Sequence, residues 1–266
     1  MLKNLRIFII AFIGILLLGS QIYAQETFEG YWEQTTKSNS PYQTFSKSKG
    51  DEAQRVYYKN GKMKIEDKDG GNVVIMRLDK EVTWMIDKKK GVYTEMTMSD
   101  MKAQMNKANE AMQKMQKQME DMPPEQRKMM EKMMGDKMKS MASGEGMNIT
   151  VKKTDETKTI NGYNCRKIVY YSGDEPIMDI WLTDKYQLGS EFVKSYAQMG
   201  LIKGDLSEAT KNMKGFPIKS EMQMDAGMGK KIESTTTVTK IVPTSVSDSQ
   251  FELPKGLKKT EMNSFQ

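Results

Sequence analysis

The stretch Arg55-Val56-Tyr57-Tyr58-Lys59-Asn60-Gly61-Lys62-Met63-Lys64-Ile65-Glu66 decides the fold class. Two runs of strand-forming residues flank Asn60-Gly61. Both turn residues tolerate positive φ, so the pair predicts a tight hairpin between antiparallel strands. Upstream, Glu26 to Thr36 alternates, with Phe28, Gly30 and Trp32 on one face and Glu29, Tyr31 and Glu33 on the other. Downstream, strands are predicted over 72–78, 82–87 and 92–96, with breaks at Asp79-Lys80 and Lys88 to Gly91. Turn signals about every 8 to 12 residues make this an antiparallel meander.

The pattern changes at Ser99. Met101, Met105, Ala108, Met112, Met115, Met119 and Met122 recur at alternating spacings of four and three, the mark of a helical seam. Ser99 or Asp100 can cap its start, and Pro123-Pro124 stops it. A second helical stretch is predicted from about Glu125, with Met130, Met134, Met138 and Met141 along one side and Gly144 and Gly146 at its end. The two arms read as a helical hairpin inserted at about 99–147. After Asn148 strands return. A hairpin is predicted around Ser172-Gly173-Asp174, short helices over 191–199 and 205–213, a clean period of two from Phe216 to Asp225, and a long strand from Lys230 to Val242.

Residues 1–24 read as a secretory signal peptide. Lys3 and Arg6 precede the apolar run Ile7 to Leu18, and Tyr23-Ala24-Gln25 supplies a small-residue cleavage site. The alternative, an uncleaved anchor, has too short an apolar run for a bilayer-spanning helix. Cleavage would leave a single domain over 25–266, and loss of Lys3 and Arg6 reduces the net charge from +6 to +4. A surplus so small and so dispersed does not indicate nucleic-acid binding. The destination is the periplasm or the exterior, with no transmembrane segment after cleavage.

Composition narrows the chemistry. The 266 residues include no His and one Cys. Triads that rely on His, imidazole general bases and HExxH zinc sites are therefore excluded. So are an internal disulfide and a CxxC pair. Cys165 has no imidazole to activate it and reads as core. Among the acidic residues no carboxylate pair stands out, and Asp69-Gly70-Gly71-Asn72 reads as a turn rather than a phosphate loop.

Three segments then resemble one family in their order: Thr159-Ile160-Asn161-Gly162-Tyr163-Asn164-Cys165-Arg166-Lys167, Asp179-Ile180-Trp181-Leu182-Thr183 and Phe251-Glu252-Leu253-Pro254-Lys255-Gly256-Leu257-Lys258. The chain resembles the domain-of-unknown-function family 4412, which is similar to the periplasmic lipoprotein carriers LolA and LolB. The resemblance covers most of the mature chain, weakly in its Met-rich middle. It implies an α+β fold of the LolA-like kind: a strongly curved antiparallel sheet, an incomplete β-barrel, with short helices plugging the open side. It also implies a non-enzymatic protein that holds an acyl chain or another apolar ligand in the hollow, without a cofactor. The Met-rich hairpin departs from that plan.

Alternate strand residues would line such a hollow, and the candidates are Trp32, Met76, Trp84 and Trp181. Partners would be an apolar ligand or a lipid-bearing protein, and an envelope protein docking on the Met-rich hairpin. Two alternatives stand beside this. Fifteen of the 26 Met lie between Met96 and Met147, and thioethers bind Cu(I) and Ag(I). Met129-Met130 with Met133-Met134 could bring soft ligands together, although regular heptad spacing favours a packing seam. The other alternative is a structural envelope protein acting through the hairpin. If the leader reading holds, protein recovered from outside the cytoplasm begins at Gln25 on N-terminal sequencing; a mature chain that retains Met1 contradicts it.

Overall fold

The computed structural model describes residues 27–39, 52–120, 122–126, 149–188, 214–225 and 231–261. The expected leader, most of the expected second arm of a Met-rich hairpin and the two short helices expected over 191–213 lie outside these residues. The described chain is mostly sheet. β1 (Gly30–Ser38), β2 (Glu52–Lys59), β3 (Lys62–Asp67), β4 (Asn72–Arg77), β5 (Val82–Asp87) and β6 (Val92–Thr97) precede helix α1 (Met98–Glu120). β7 (Ile149–Ile160), β8 (Tyr163–Ser172), β9 (Glu175–Thr183), β10 (Phe216–Asp225), β11 (Lys231–Pro243) and the two-residue β12 (Lys258–Lys259) follow.

All twelve strands join one sheet in the order β12-β6-β5-β4-β3-β2-β1-β11-β10-β9-β8-β7. Two up-and-down meanders, β1 to β6 and β7 to β11, are joined where β1 pairs with β11. The end strands do not pair with each other, so the sheet is open, as an incomplete barrel requires. One corner curls strongly. The Asn161 amide in the β7–β8 turn donates to the Val238 carbonyl of β11 at 2.8 Å. Three strand spacings, about 14 Å in a flat sheet, otherwise separate β8 from β11. Irregularities at Glu33/Gln34, Lys153/Thr157, Tyr170/Tyr171 and Pro217/Lys219 add the local twist that such a curl needs.

The hairpin at Asn60-Gly61 is present, with φ of 46° and 74° and Lys59 facing Lys62. Asn161-Gly162, with φ of 48° and 80°, makes a second turn of the same kind between β7 and β8. The turn at Gly173-Asp174 and the strands β10 and β11 also match the sequence pattern. β1 starts later than the alternation suggested, at Gly30 rather than Glu26. Thr27 bridges Gln187, and the Phe28 amide donates to the Gln187 carbonyl at 2.8 Å, so the residues before β1 pair elsewhere. Gly30 itself has φ of 153°, and a Cβ there would lie 2.2 Å from the Val242 carbonyl oxygen.

Helix α1 covers the first of the two expected Met-rich helical stretches. Its cap is Thr97, not Ser99 or Asp100. The Thr97 hydroxyl accepts the Asp100 amide at 3.1 Å, and the Asp100 carboxylate accepts the Thr97 amide at 2.9 Å. This reciprocal box satisfies two donors, with Asp100 at the third helical position rather than the first. Lys102, Asn106, Lys107, Glu110, Lys114 and Lys117, which lie between the seam positions, are exposed.

The C-terminal segment was not legible as structure. After β11 it makes the short 3-10 turn Asp248–Phe251 and ends as β12, parallel to β6 with Lys258 opposite Val92. It covers one face of β4 to β6, where Val73, Ile75, Trp84, Ile86, Val246 and Phe251 form a buried cluster. Gly61→Val tests the turn on which the first meander depends. A β-branched residue resists the left-handed conformation, so we expect a loss of about 1–3 kcal/mol in denaturant unfolding; unchanged stability would contradict the turn assignment.

Candidate ligand-binding face

Strand register sorts the apolar side chains onto two faces. Directly opposed residues share a face, which gives the row Ile241–Trp32–Val56–Ile65–Val74–Met85 across β11, β1, β2, β3, β4 and β5. A second row on the same face runs Gly30–Tyr58–Met63–Met76–Thr83–Met96. Together they place Trp32 and four Met side chains on one surface that crosses the junction of the two meanders. The alternate positions give the opposite face, with the row Tyr31–Tyr57–Lys64–Ile75–Trp84–Glu95.

The four residues expected to line one hollow are therefore not brought together. Trp32 and Met76 share a face, and Met76 packs against the cluster that contains Trp32. Trp181 belongs to that same cluster. Trp84 is on the other face, opposite Ile75, in the separate cluster beneath the C-terminal segment. The reason is the four-residue connection Leu78 to Glu81, which sets Arg77 against Val82 and hence Met76 against Thr83. One residue of offset in a strand exchanges the faces. The Trp indoles are all largely buried, and two of them donate locally. Trp32 Nε1 donates to Gln34 at 2.7 Å and Trp84 Nε1 to Glu95 at 2.9 Å.

At the start of β1 the face closes into an aromatic cluster. Phe28, Trp32 and Phe216 meet edge to face at centroid distances of 5.2 to 6.1 Å, and Tyr186 and Tyr163 extend the group. These are favourable geometries, each contributing roughly 0.5–1.5 kcal/mol beyond area burial. Trp181 lies among charges. The Lys167 and Lys158 ammonium groups stand 5.8 and 6.0 Å from its ring centroid. The hydrogen bond that Lys167 donates to the Asp179 carboxylate raises the Lys167 pKa. Burial pushes the Glu221 carboxyl up, but its contact with Lys219 brings it below the ordinary value.

A separate groove of about 470 Å³ is lined by Thr157, Lys158, Thr159, Asn164, Cys165, Arg166 and Asp184. It is polar, and none of the four expected residues lines it. Nothing in the sequence pattern pointed to it, because it forms between β7, β8 and the end of β9. Burial pushes the Cys165 thiol up, and its Sγ donates to the Tyr163 carbonyl at 3.3 Å. It is a packed side chain, as expected. The four Met proposed as soft-metal ligands, Met129, Met130, Met133 and Met134, lie outside the described residues. Among the described residues no helix is long and apolar enough to cross a membrane.

The family described as Domain of unknown function (DUF4412) matches residues 70–257. The chain belongs to it. The match takes in all of α1 and the sheet from β4 through β11, as well as most of the C-terminal segment. The DUF4412 chain is also similar in structure to an uncharacterized conserved protein from Thermus thermophilus, at 10% identity and a TM-score of 0.42, over 88% of this chain and 91% of that one. A second similarity is to MucB, at 9% identity and a TM-score of 0.39, over 88% of this chain and 60% of that one. PNGF-II is similar at 12% identity and a TM-score of 0.36, over 89% of this chain but 32% of that one. These likenesses are loose, each with a TM-score below 0.5. No curated protein matches the chain.

The burial of Cys165 makes a prediction. A thiol that is 3% exposed, with its pKa raised, should react with an aromatic disulfide reagent only when the fold opens. Its labelling rate should follow unfolding as denaturant is added, and stoichiometric labelling of the native protein within seconds would contradict the placement.

Proposed function

We propose that this DUF4412 protein is an extracytoplasmic binding protein without catalytic activity, exported by its leader, which holds an apolar ligand such as an acyl chain. The ligand lies against the face that carries Trp32, Met63, Met76 and Met96. The observation that supports this reading is the pair of cross-strand rows that run without a charged side chain from β1 to β5. Met suits the task because its unbranched thioether adapts to ligands of different shape. Trp84 plays no part in binding, since it packs beneath the C-terminal segment. Transfer of an apolar ligand from water supplies the driving force: burying about 300 Å² gains roughly 7 kcal/mol.

A second reading has one observation in its favour. Helix α1 runs for 23 residues, with Lys102, Lys107, Glu110, Lys114 and Lys117 exposed between seam positions. At about 1.5 Å per residue it offers roughly 35 Å of length to a helical partner. Such a partner would be another envelope protein, and the helix would serve docking rather than ligand storage.

Titration with a fluorescent fatty acid separates the two readings. We expect micromolar uptake by the mature protein, weakened about tenfold or more by Met76→Glu, which puts a charge on the binding face. Trp84→Phe should leave uptake unchanged. Absence of uptake, or equal loss in both variants with the fold intact, would overturn the ligand-binding reading.

A further inference from the structure

The C-terminal segment 244–261 leaves β11, passes β2, β3 and β4, and reaches the edge of β6. Val246 and Phe251 are buried against Val73, Ile75, Trp84 and Ile86, and Leu253 and Leu257 pack beside them. Around this apolar seam the charges are sorted. Asp248 meets Lys62 at 3.0 Å and Lys59 at 3.6 Å. Gln250 accepts from Lys64 at 3.0 Å, and Glu252 meets Lys80 at 3.3 Å. Lys259 meets Glu95 of β6 at 2.7 Å.

One of these contacts differs in kind. Arg77 is 5% exposed, yet it carries a full charge at the end of β4. Its Nε and Nη2 form a fork on the Asp79 carboxylate at 2.8 and 2.6 Å. Its Nη1 donates to the Phe251 carbonyl at 3.3 Å and to the Glu252 carboxylate. The neighbouring cations are Lys62 of β3, which acts on Asp79 through its charge, and Lys80, which shares Glu252. Exposed ion pairs such as Lys80–Glu252 contribute little by themselves. A buried guanidinium stripped of its carboxylates is costly, because nothing then offsets its lost hydration. Lifting the segment away would return water to it.

Main-chain bonds hold the segment near its two ends, and at its start the Thr244 amide donates to the Glu29 carbonyl at 3.2 Å and the Val246 amide to the Glu29 carboxylate at 2.8 Å. β12 contributes the Lys258 amide to the Gly91 carbonyl at 3.0 Å, and beyond it the Thr260 amide donates to the Tyr93 carbonyl at 2.8 Å. The β1–β11 junction, in contrast, is paired from Gly30 opposite Pro243 to Ser38 opposite Ser234, with one irregularity at Glu33/Gln34.

We propose that residues 244–261 are a releasable strap, latched by the carboxylates around buried Arg77, which opens on its own when those carboxylates are neutralised while the rest of the sheet stays closed. Opening presents the edge of β6 together with the Trp84 patch. The direction with pH follows from the latch. Hydrogen bonds from Arg77 hold both Asp79 and Glu252 below their ordinary values of 3.8 and 4.5, and Lys62 does the same for Asp248; of these, Glu252 and Asp248 lose their partners when the strap lifts, whereas Asp79 keeps Arg77. A depressed carboxyl pKa stabilises the closed form fully above the ordinary value and loses that contribution as pH falls through the lowered one. The strap is therefore closed at neutral pH and loosens in acid.

Amide hydrogen exchange on the full chain tests this, with the double variant Asp79→Asn, Glu252→Gln at neutral pH standing in for acid. The amides of Gln250, Lys258 and Thr260 should lose protection by roughly tenfold or more, while the β1 and β11 amides keep theirs. Unchanged strap amides, or strap and β1–β11 amides losing protection together, would overturn the proposal. Arg77→Met is the second arm, since it replaces the buried charge with an apolar side chain of similar length. Acrylamide quenching of Trp84, in chains where Trp32 and Trp181 are Phe, should rise as the pH is taken below 4.5 with Arg77 present and rise far less in the Arg77→Met chain, which keeps only the Asp248 pairs. The same rise in both would show that Arg77 does not set the latch.

Discussion

Everything else in this molecule depends on the pairing of β1 with β11. β1 is the first strand of one meander and β11 the last of the other, and their contact is the junction that makes twelve strands one sheet. The partners are about two hundred residues apart in the chain, so the junction closes a very long loop. Its composition suits the task. Thr35 and Thr36 face Thr237 and Thr236, and the Thr36 and Thr236 hydroxyls share a hydrogen bond of 3.0 Å. β-Branched residues with a polar tip make good cross-strand pairs where one face is partly wet. At the other end Trp32 faces Ile241, and Gly30 allows the chain to approach Val242 closely.

The junction also explains how the apolar surface becomes continuous. Trp32 is the residue at which the row from the first meander meets β11, and Phe216 of β10 packs edge to face against it at 5.2 Å. Without the junction each meander would present a short patch with an exposed strand edge. With it, the remaining edges are β7 and β6. β7 is blunted by an irregularity between Lys153 and Thr157 and by exposed Lys and Glu side chains, and β6 is covered in part by β12. Both are ordinary ways of discouraging edge-to-edge association.

Local features of this fold were legible in the sequence, and non-local ones were not. Asn60-Gly61 specifies its own φ values, so the first hairpin could be read directly, and the same logic overlooked at Asn161-Gly162 would have given the β7–β8 turn. Alternation within a strand was equally clear, as Phe28, Gly30 and Trp32 show. Which face of one strand joins which face of the next is a matter of register, and register depends on the turn. Trp84 was grouped with Met76 because both lie on strands, whereas the Leu78–Glu81 connection puts them on opposite faces. The strap was invisible for another reason: β12 has two residues, too few for any period, and the value of Phe251 and Glu252 depends on a patch formed far away. The sequence does not single out Thr97 as the cap, because Ser99 and Asp100 both look like caps, while Thr97 closes a strand as well as starting a helix.

The central claim is that β1 and β11 meet in this register and make one sheet. It is tested most directly by replacing Thr36 and Thr236 with Cys in a chain whose Cys165 is Ser. The native hydroxyls are 3.0 Å apart, so mild oxidation of the folded protein should give a single intramolecular disulfide, seen as a faster-migrating band that reverts on reduction. Two free thiols that persist under those conditions in a folded chain, or only intermolecular cross-links, would contradict the account.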